Sequence, residues 1–172
     1  MHDSLDSLEI AAAREVDVPL ILSFIRALAE YEKLSAAVVA SEELLRSHLF
    51  GPQRAAEVLI ASVGGEPAGF ALFFSTFSTF LGKPGVWLED LFVLPAFRRR
   101  GVGSRLLGAV AGIAVERGCG RLEWAVLDWN QPAIDLYRRR GASMLEDWRI
   151  CRVDGDRLIE LAGVATRNGW EP

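Results

Sequence analysis

No stretch of this chain approaches the ~20 consecutive apolar residues that a membrane-spanning helix needs, so no membrane partner is expected. Basic charge is also in short supply. Nineteen Lys and Arg stand against 23 Asp and Glu, for a net charge of −4. That balance speaks against a nucleic-acid partner, because neutralising phosphates calls for a basic face. Cysteine is nearly absent: Cys119 and Cys151 are too few for a disulfide framework and share no metal-ligand spacing, so no metal is expected. The opening residues, MHDSLDSLE, are acidic and lack the apolar core of a signal peptide, which points to a cytoplasmic protein. Internal repeats and low-complexity linkers are missing too. What is present is a hydrophobic content of 51% over 172 residues, enough for a compact core. The expectation is a single domain over residues 8–165 with short tails at 1–7 and 166–172.

The chain is organised around residues 86–107, VWLEDLFVLPAFRRRGVGSRLL. An apolar, strand-like run meets Pro95, passes Arg98, Arg99 and Arg100, and reaches Gly101, Val102 and Gly103, after which the apolar spacing becomes helical. A strand, a glycine turn and a helix start form an anion site, since the first N–H groups of a helix lack intrahelical acceptors. Glycine lets the backbone approach a phosphate closely, and the arginines supply counter-charge. A glycine pair alone is weak evidence, however, because many helices begin after glycine with no ligand. Two nucleotide motifs fail here: no Lys follows Gly103, as a P-loop needs, and Leu106 stands where a dinucleotide fingerprint needs its third glycine. What remains is R-x-x-G-x-G behind a strand carrying Glu89 and Asp90.

Elsewhere the patterns predict a first strand over residues 8–14, weakened by its alanines. Asp17 and Pro19 open a helix that runs to about Tyr31. Ser41 opens a second helix, ending near Gly51-Pro52. Residues 58–63, the Gly64-Gly65 turn and residues 68–77 read as a hairpin. Residues 81–85 break the chain before the central strand. A helix follows Gly103 and ends near Gly118. Residues 121–127 form the next strand, and Asn130 caps a helix reaching about Arg140. A last strand covers residues 148–153, and a short helix covers 156–165. The sequence RNGWEP at the end is unplaced. The fold class is α/β (α+β), a mixed sheet with helices on both faces.

Two blocks carry a family resemblance. R-x-x-G-x-G after the central strand resembles the acyl-CoA pyrophosphate loop of the GNAT N-acetyltransferase superfamily. The second block, AVLDWNQPAIDLYRRRGA at residues 125–142, is similar to that superfamily's Asn-opened helix with a Tyr two turns in and a Gly beyond its end. Asn130, Tyr137 and Gly141 fit. The wording LED-x-x-V, DWN-x-x-x-x-x-Y and RRGA, with Trp148-Arg149 beyond, is most similar to the diamine and thialysine acetyltransferase branch. The resemblance implies the acetyltransferase fold, with its fourth and fifth strands splayed into a cleft, and acetyl-CoA as cosubstrate. It also implies a small-molecule amine acceptor and a homodimer. The apolar stretch at residues 158–164 is compatible with strand or helix exchange.

Acetyl transfer to an amine requires the amine to lose its proton, the carbonyl to be polarised and the thiolate to be protonated. An alkylammonium with a pKa of ~10.4 is nucleophilic in only about one molecule per thousand at neutral pH. Glu89, on the strand before the loop, is the candidate base. Alternation is expected to put Asp90 on the opposite face. Tyr137, with an ordinary phenol pKa of ~10, reads from the sequence pattern alone as a core aromatic, and the resemblance makes it the candidate acid. The resemblance places the cofactor along Leu91, Phe92 and Val93. There a backbone N–H around Phe92 or Val93, freed by a strand bulge, polarises the carbonyl. Arg98, Arg99, Arg100, Gly101, Val102, Gly103 and Ser104 hold the pyrophosphate, and Asn130 and Tyr137 contact the cofactor. One arginine among Arg138, Arg139 and Arg140 could meet the 3′-phosphate, although the run also reads as a solvated helix face. The branch implies Tyr31, Glu32, Phe80, Glu89, Asp128 and Trp148 around the amine. One departure matters: polyamine enzymes of this type tend to carry an Asp just before the aromatic at Phe80, and this chain has Ser78-Thr79. That moves the expectation toward lysine-like or thialysine-like acceptors. A protein or peptide acetyltransferase and a non-catalytic acyl-CoA sensor remain as alternatives.

Overall fold

The computed structural model describes residues 7–167, with side chains through residue 163. Of the expected tails, residues 1–6 and 168–172 lie outside the described residues, and most of RNGWEP with them. The chain folds as two compact units, Met1–Asn130 and Gln131–Pro172.

The first unit is a five-stranded mixed sheet in the order β1-β2-β3-β4-β5. Strands β1 (Leu8–Ala12), β2 (Glu57–Val63), β3 (Glu66–Ser78) and β4 (Lys83–Val93) pair antiparallel in turn. β5 (Leu122–Trp124) lies parallel to β4. The alanines of β1 form a strand despite their poor propensity because β2 supplies a full ladder, Leu8 opposite Val63 through Ala12 opposite Leu59. Gly64 and Gly65 turn the β2–β3 hairpin with φ of 60° and 82°, the left-handed geometry that a tight two-residue hairpin requires.

Three helices complete the unit: α1 (Val18–Tyr31), α2 (Glu42–Phe50) and α3 (Val102–Glu116). Ser41 caps α2 as its sequence predicts, its hydroxyl accepting from the Leu44 N–H at 3.2 Å. The core on one face joins Ile21 and Phe24 of α1, Leu49 of α2, Val58, Phe70 and Phe92. Phe24 stacks on Phe70 with centroids 5.4 Å apart and planes 5° from parallel. α3 buries Val102, Leu106, Leu107, Val110 and Ala114 and lies against β3 and β4. It also makes the crossover that a parallel β4–β5 pair needs.

The boundaries that differ most from expectation in this unit are the start of β4 and the end of β5. β4 starts at Lys83 rather than after Gly85, because the turn is tighter than its Gly and Pro content suggested. Gly82 takes φ 60°, the Ser78 hydroxyl accepts from the Leu81 N–H at 3.2 Å, and Ser78 pairs directly with Lys83. β5 stops at Trp124 instead of reaching residue 127.

The second unit contains α4 (Gln131–Arg139) and α5 (Gly155–Arg167). α4 ends as its sequence predicts, with Gly141 at φ 87° and the Ala142 N–H donating to the Tyr137 carbonyl at 3.0 Å. The strand expected over residues 148–153 does not form. A strand needs a ladder partner, and among the described residues this unit has no strand to supply one. Trp148, Ile150 and Val153 are exposed instead.

Candidate active site

The last five residues of β4 are where the sheet departs from regularity. β5 pairs with β4 only at Val86, Trp87 and Leu88, opposite Leu122, Glu123 and Trp124. Beyond Leu88 the two strands part, and residues 89–93 keep only β3 beside them. The register against β3 jumps at the same place: Leu72 faces Asp90 while Phe73 faces Leu88, leaving Glu89 as the extra residue of a bulge. From Asp90 to Val93 the pairing with β3 is continuous. The bulge therefore sits at Glu89, not at Phe92 or Val93 as expected. Backbone around those two residues faces an open edge because β5 diverges.

The bulge also corrects the placement of Asp90. Cross-strand partners share a face of the sheet, so Asp90 lies with Leu72 on the side of Phe70 and Phe92, where α1 packs. Leu88, paired with Phe73, lies on the other side. Trp87, paired with Phe74, shares the α1 side, and its indole N–H donates to Glu89 Oε2 at 2.8 Å. Glu89 and Asp90 thus end on one face, because the extra residue shifts the alternation by one.

Glu32, which follows α1 directly, completes a group of three carboxylates. Burial, the neighbouring Glu89 and then Glu32 push the Asp90 carboxyl up to about 6. Burial also raises Glu32 above the usual carboxylate range. Carboxylates that repel one another in this way favour an incoming cation, which would relieve their repulsion.

The anion end is built by the loop between β4 and α3. Arg98 is extended, at φ −67° and ψ 157°. Arg99 takes the left-handed conformation at φ 62° and Gly101 does so at φ 81°. Gly101 is the N-cap of α3 and offers no side-chain cap. The intrahelical bonds begin with the Arg105 N–H on the Gly101 carbonyl, at 3.0 Å. The first-turn N–H groups of Val102, Gly103 and Ser104 thus precede the helix's own bonding, as an anion site requires.

The three arginines do not behave alike. Arg99 and Arg100 are exposed while Arg98 is partly buried. The Arg98 guanidinium carbon lies 4.6 Å from the Tyr31 ring centroid and 5.5 Å from that of Phe92, and Nε donates to the Val93 carbonyl at 2.9 Å. The Tyr31 hydroxyl donates to Asn130 Oδ1 at 3.0 Å, and the Tyr31 and Trp129 rings are 5.9 Å apart. The end of α1, the loop and the segment after β5 meet at Tyr31.

The structure brings Tyr31, Glu32, Glu89, Arg98 and Asn130 into this region. Asp128 is exposed two residues before Asn130. Phe80 is not brought there. It sits in the β3–β4 turn, 95% exposed, and the six steps along β4 from Lys83 to Glu89 span about 20 Å. Trp148 and Tyr137 belong to the second unit, the first exposed and the second buried in α4. Arg138 and Arg139 occupy the last turn of α4, and both they and Arg140 are exposed. The sequence reading missed Trp87 and Trp129, and it put Asp90 on the wrong face. A Trp two positions from a Glu on one strand was a usable signal for Trp87; the bulge that moves Asp90 leaves no compositional trace.

Comparison with known proteins agrees with this geometry. The model of the acetyltransferase (GNAT) family matches residues 25–142. A thialysine N-epsilon-acetyltransferase of Bos taurus is 43% identical over 165 residues, covering 90% of this chain and 96% of its own length. An L-ornithine N5-acetyltransferase of Arabidopsis thaliana is 34% identical, over 87% of this chain and 85% of its own. Among solved structures, an integron cassette protein of V. cholerae superimposes with a TM-score of 0.75 at 27% identity, over 91% of this chain and 98% of its own. The resemblance to the thialysine and diamine branch is borne out by relatives of this kind. The parted β4–β5 pair, the uncapped start of α3 and the family match over both lead to one assignment: the chain belongs to the acetyltransferase (GNAT) family and is an N-acetyltransferase.

Proposed function

We propose that this enzyme transfers an acetyl group from acetyl-CoA to the primary amine of a small cationic acceptor, with lysine-like or thialysine-like amines preferred to polyamines. The observation that carries the reading is the pair Glu89 and Asp90 on the open half of β4, joined by Glu32 from the end of α1, one loop away from the uncapped start of α3. A site with negative charge at one end and an anion cradle at the other suits an ammonium acceptor and a pyrophosphate-bearing donor.

Acetyl-CoA supplies the activated thioester. The residues present fit it: Arg99 and Gly101 in left-handed conformations bare the first N–H groups of α3, and Val102, Gly103 and Ser104 would hold the pyrophosphate with Arg99 and Arg100 beside them. Glu89, steadied by the Trp87 indole, accepts the proton of the bound ammonium. Asp90 and Glu32 hold the cation and tune that acceptance. Backbone N–H at Phe92 or Val93 polarises the carbonyl, Leu91 lies along the cofactor, and Asn130 contacts it. Tyr137 protonates the departing thiolate. Asp128 and Trp148 belong to the acceptor's surroundings in this proposal. The relatives' acceptors, named as thialysine and L-ornithine, are small cationic amines, which supports the choice.

The same proposal treats residues 8–165 as one catalytic domain, because the family match runs across residue 130 without a break. It also makes the enzyme a cytoplasmic homodimer. Trp148, Ile150, Leu158 and Ile159 are all more than half exposed, apolar side chains of the kind a second copy would cover.

The test is thiol release from acetyl-CoA against lysine, thialysine, ornithine, spermidine, short diamines and an N-terminal peptide. Turnover is expected on a lysine-like amine, with mass spectrometry placing one acetyl group on its side-chain nitrogen. Turnover on the peptide alone would move the acceptor to proteins. Silence across the panel with CoA bound would point to a sensor.

A further inference from the structure

Arg98 opens the loop motif, yet its side chain turns away from the motif's glycines. It lies back along β4, with Nε on the Val93 carbonyl and its guanidinium over the rings of Tyr31 and Phe92. Nε anchors the guanidinium on the backbone while its carbon lies over the Tyr31 ring, a two-point arrangement the point charge of a lysine cannot copy. Tyr31 is held again at its hydroxyl by Asn130. The next residue is Glu32, which faces Asp90 electrostatically. A single side chain therefore joins the cofactor loop to the residue that sets where the acidic wall begins.

We infer that Arg98 is a positioning residue that straps the Tyr31–Glu32 wall of the amine site to the cofactor loop, so that an occupied loop fixes the wall for the amine. It rests on the amine-acetylation reading above. Ordering of the loop around an anion holds the Arg98 backbone, Arg98 holds the Tyr31 ring, and the ring holds the start of the wall. Arg98 touches neither the reacting amine nor the thioester in this account. Its loss is felt by the amine more than by the cofactor.

The experiment compares wild type with Arg98→Gln, Arg98→Lys, Tyr31→Leu and the Arg98→Gln/Tyr31→Leu double variant. Amine KM and kcat are read from initial rates, and CoA affinity from calorimetry. The strap predicts that Arg98→Gln raises amine KM about 10-fold while CoA Kd changes less than about 3-fold. Arg98→Lys recovers only part of that loss, because it keeps the charge and loses the Nε contact. In the Tyr31→Leu background, Arg98→Gln moves amine KM less than about 2-fold, the non-additivity expected of one coupled pair. If Arg98 is instead a counter-charge for the pyrophosphate, CoA Kd rises and amine KM holds, which overturns the inference. A merely structural role lowers the melting temperature with additive effects on KM, which overturns it too.

Hydrogen exchange gives a readout independent of turnover. CoA should slow exchange at residues 28–34 in wild type and not in Arg98→Gln. Equal protection in both, or none in wild type, rejects the strap. A wild type that acetylates no amine refutes the functional reading, while the exchange result still judges Arg98.

Discussion

From Lys83 to Leu88, β4 is paired with β3, and over residues 86–88 it is paired with β5 as well. From Glu89 to Val93 it keeps β3 alone. The first half carries the fully buried Val86 and the nearly buried Leu88; the second opens with two adjacent carboxylates. One extra residue separates these halves. It turns a structural strand into the wall of a site, because it ends the alternation that would have hidden one carboxylate behind the sheet. Pairing on both sides builds stability, and release from one side exposes backbone and concentrates charge where a ligand can use them.

The comparison breaks most sharply at Glu89. Glu89→Gln keeps the shape and the bond from the Trp87 indole but accepts no proton, so kcat is expected to fall about 100-fold, with CoA affinity unchanged by calorimetry. Turnover within a few-fold of wild type would move the base elsewhere.

Asp90 tests the electrostatic half of the contrast. Its carboxyl is raised from 3.8 to about 6, so the folded chain holds that proton more tightly than the unfolded one. The resulting stability is present in full below pH ~4 and is lost as pH climbs through about 6. Asp90→Asn, neutral throughout, should therefore change little near pH 4. It should stabilise the fold by up to about 3 kcal/mol near pH 8, read from urea melts at both values. An equal shift at the two pH values would show that burial and repulsion at Asp90 are not what the geometry implies.

Tyr137→Phe is expected to lower kcat about 10-fold with little change in CoA affinity, if the phenol delivers the thiolate's proton. Unchanged turnover would return Tyr137 to the status of a core aromatic. The smallest effect belongs to Trp87→Phe, which frees Glu89 from the indole hydrogen bond. About a 3-fold loss in kcat with KM held would mark orientation; none would make the indole contact incidental.

Much of this was legible in the sequence, for physical reasons that differ by element. Apolar spacing after Gly103 gave α3, because a buried helix stripe has a period that composition records. Gly64-Gly65 gave the hairpin, since few residues other than glycine take two left-handed positions in a row. Glu89 and the loop stood out through their spacing relative to the family pattern. The bulge was not legible, because V-W-L-E-D-L-F alternates well enough to pass as regular, and the register is set by β3. The strand at 148–153 was over-read from its own composition, which cannot show whether a neighbouring edge is there to pair with. Arg98 looked like its two neighbours in sequence. Only the fold shows that its charge is laid on Tyr31.

In the proposed mechanism the open half of β4 binds the acceptor as an ammonium and removes its proton on the enzyme. The most direct test is the pH profile of kcat/KM for the preferred amine from pH 5 to 10. We expect a rise through an apparent value near 6, belonging to the interacting carboxylates, and then a plateau up to the amine's own pKa of ~10.4. A rise of tenfold per pH unit across the whole range would show that the enzyme takes only amine already neutral in solution, and that the carboxylates do no proton work.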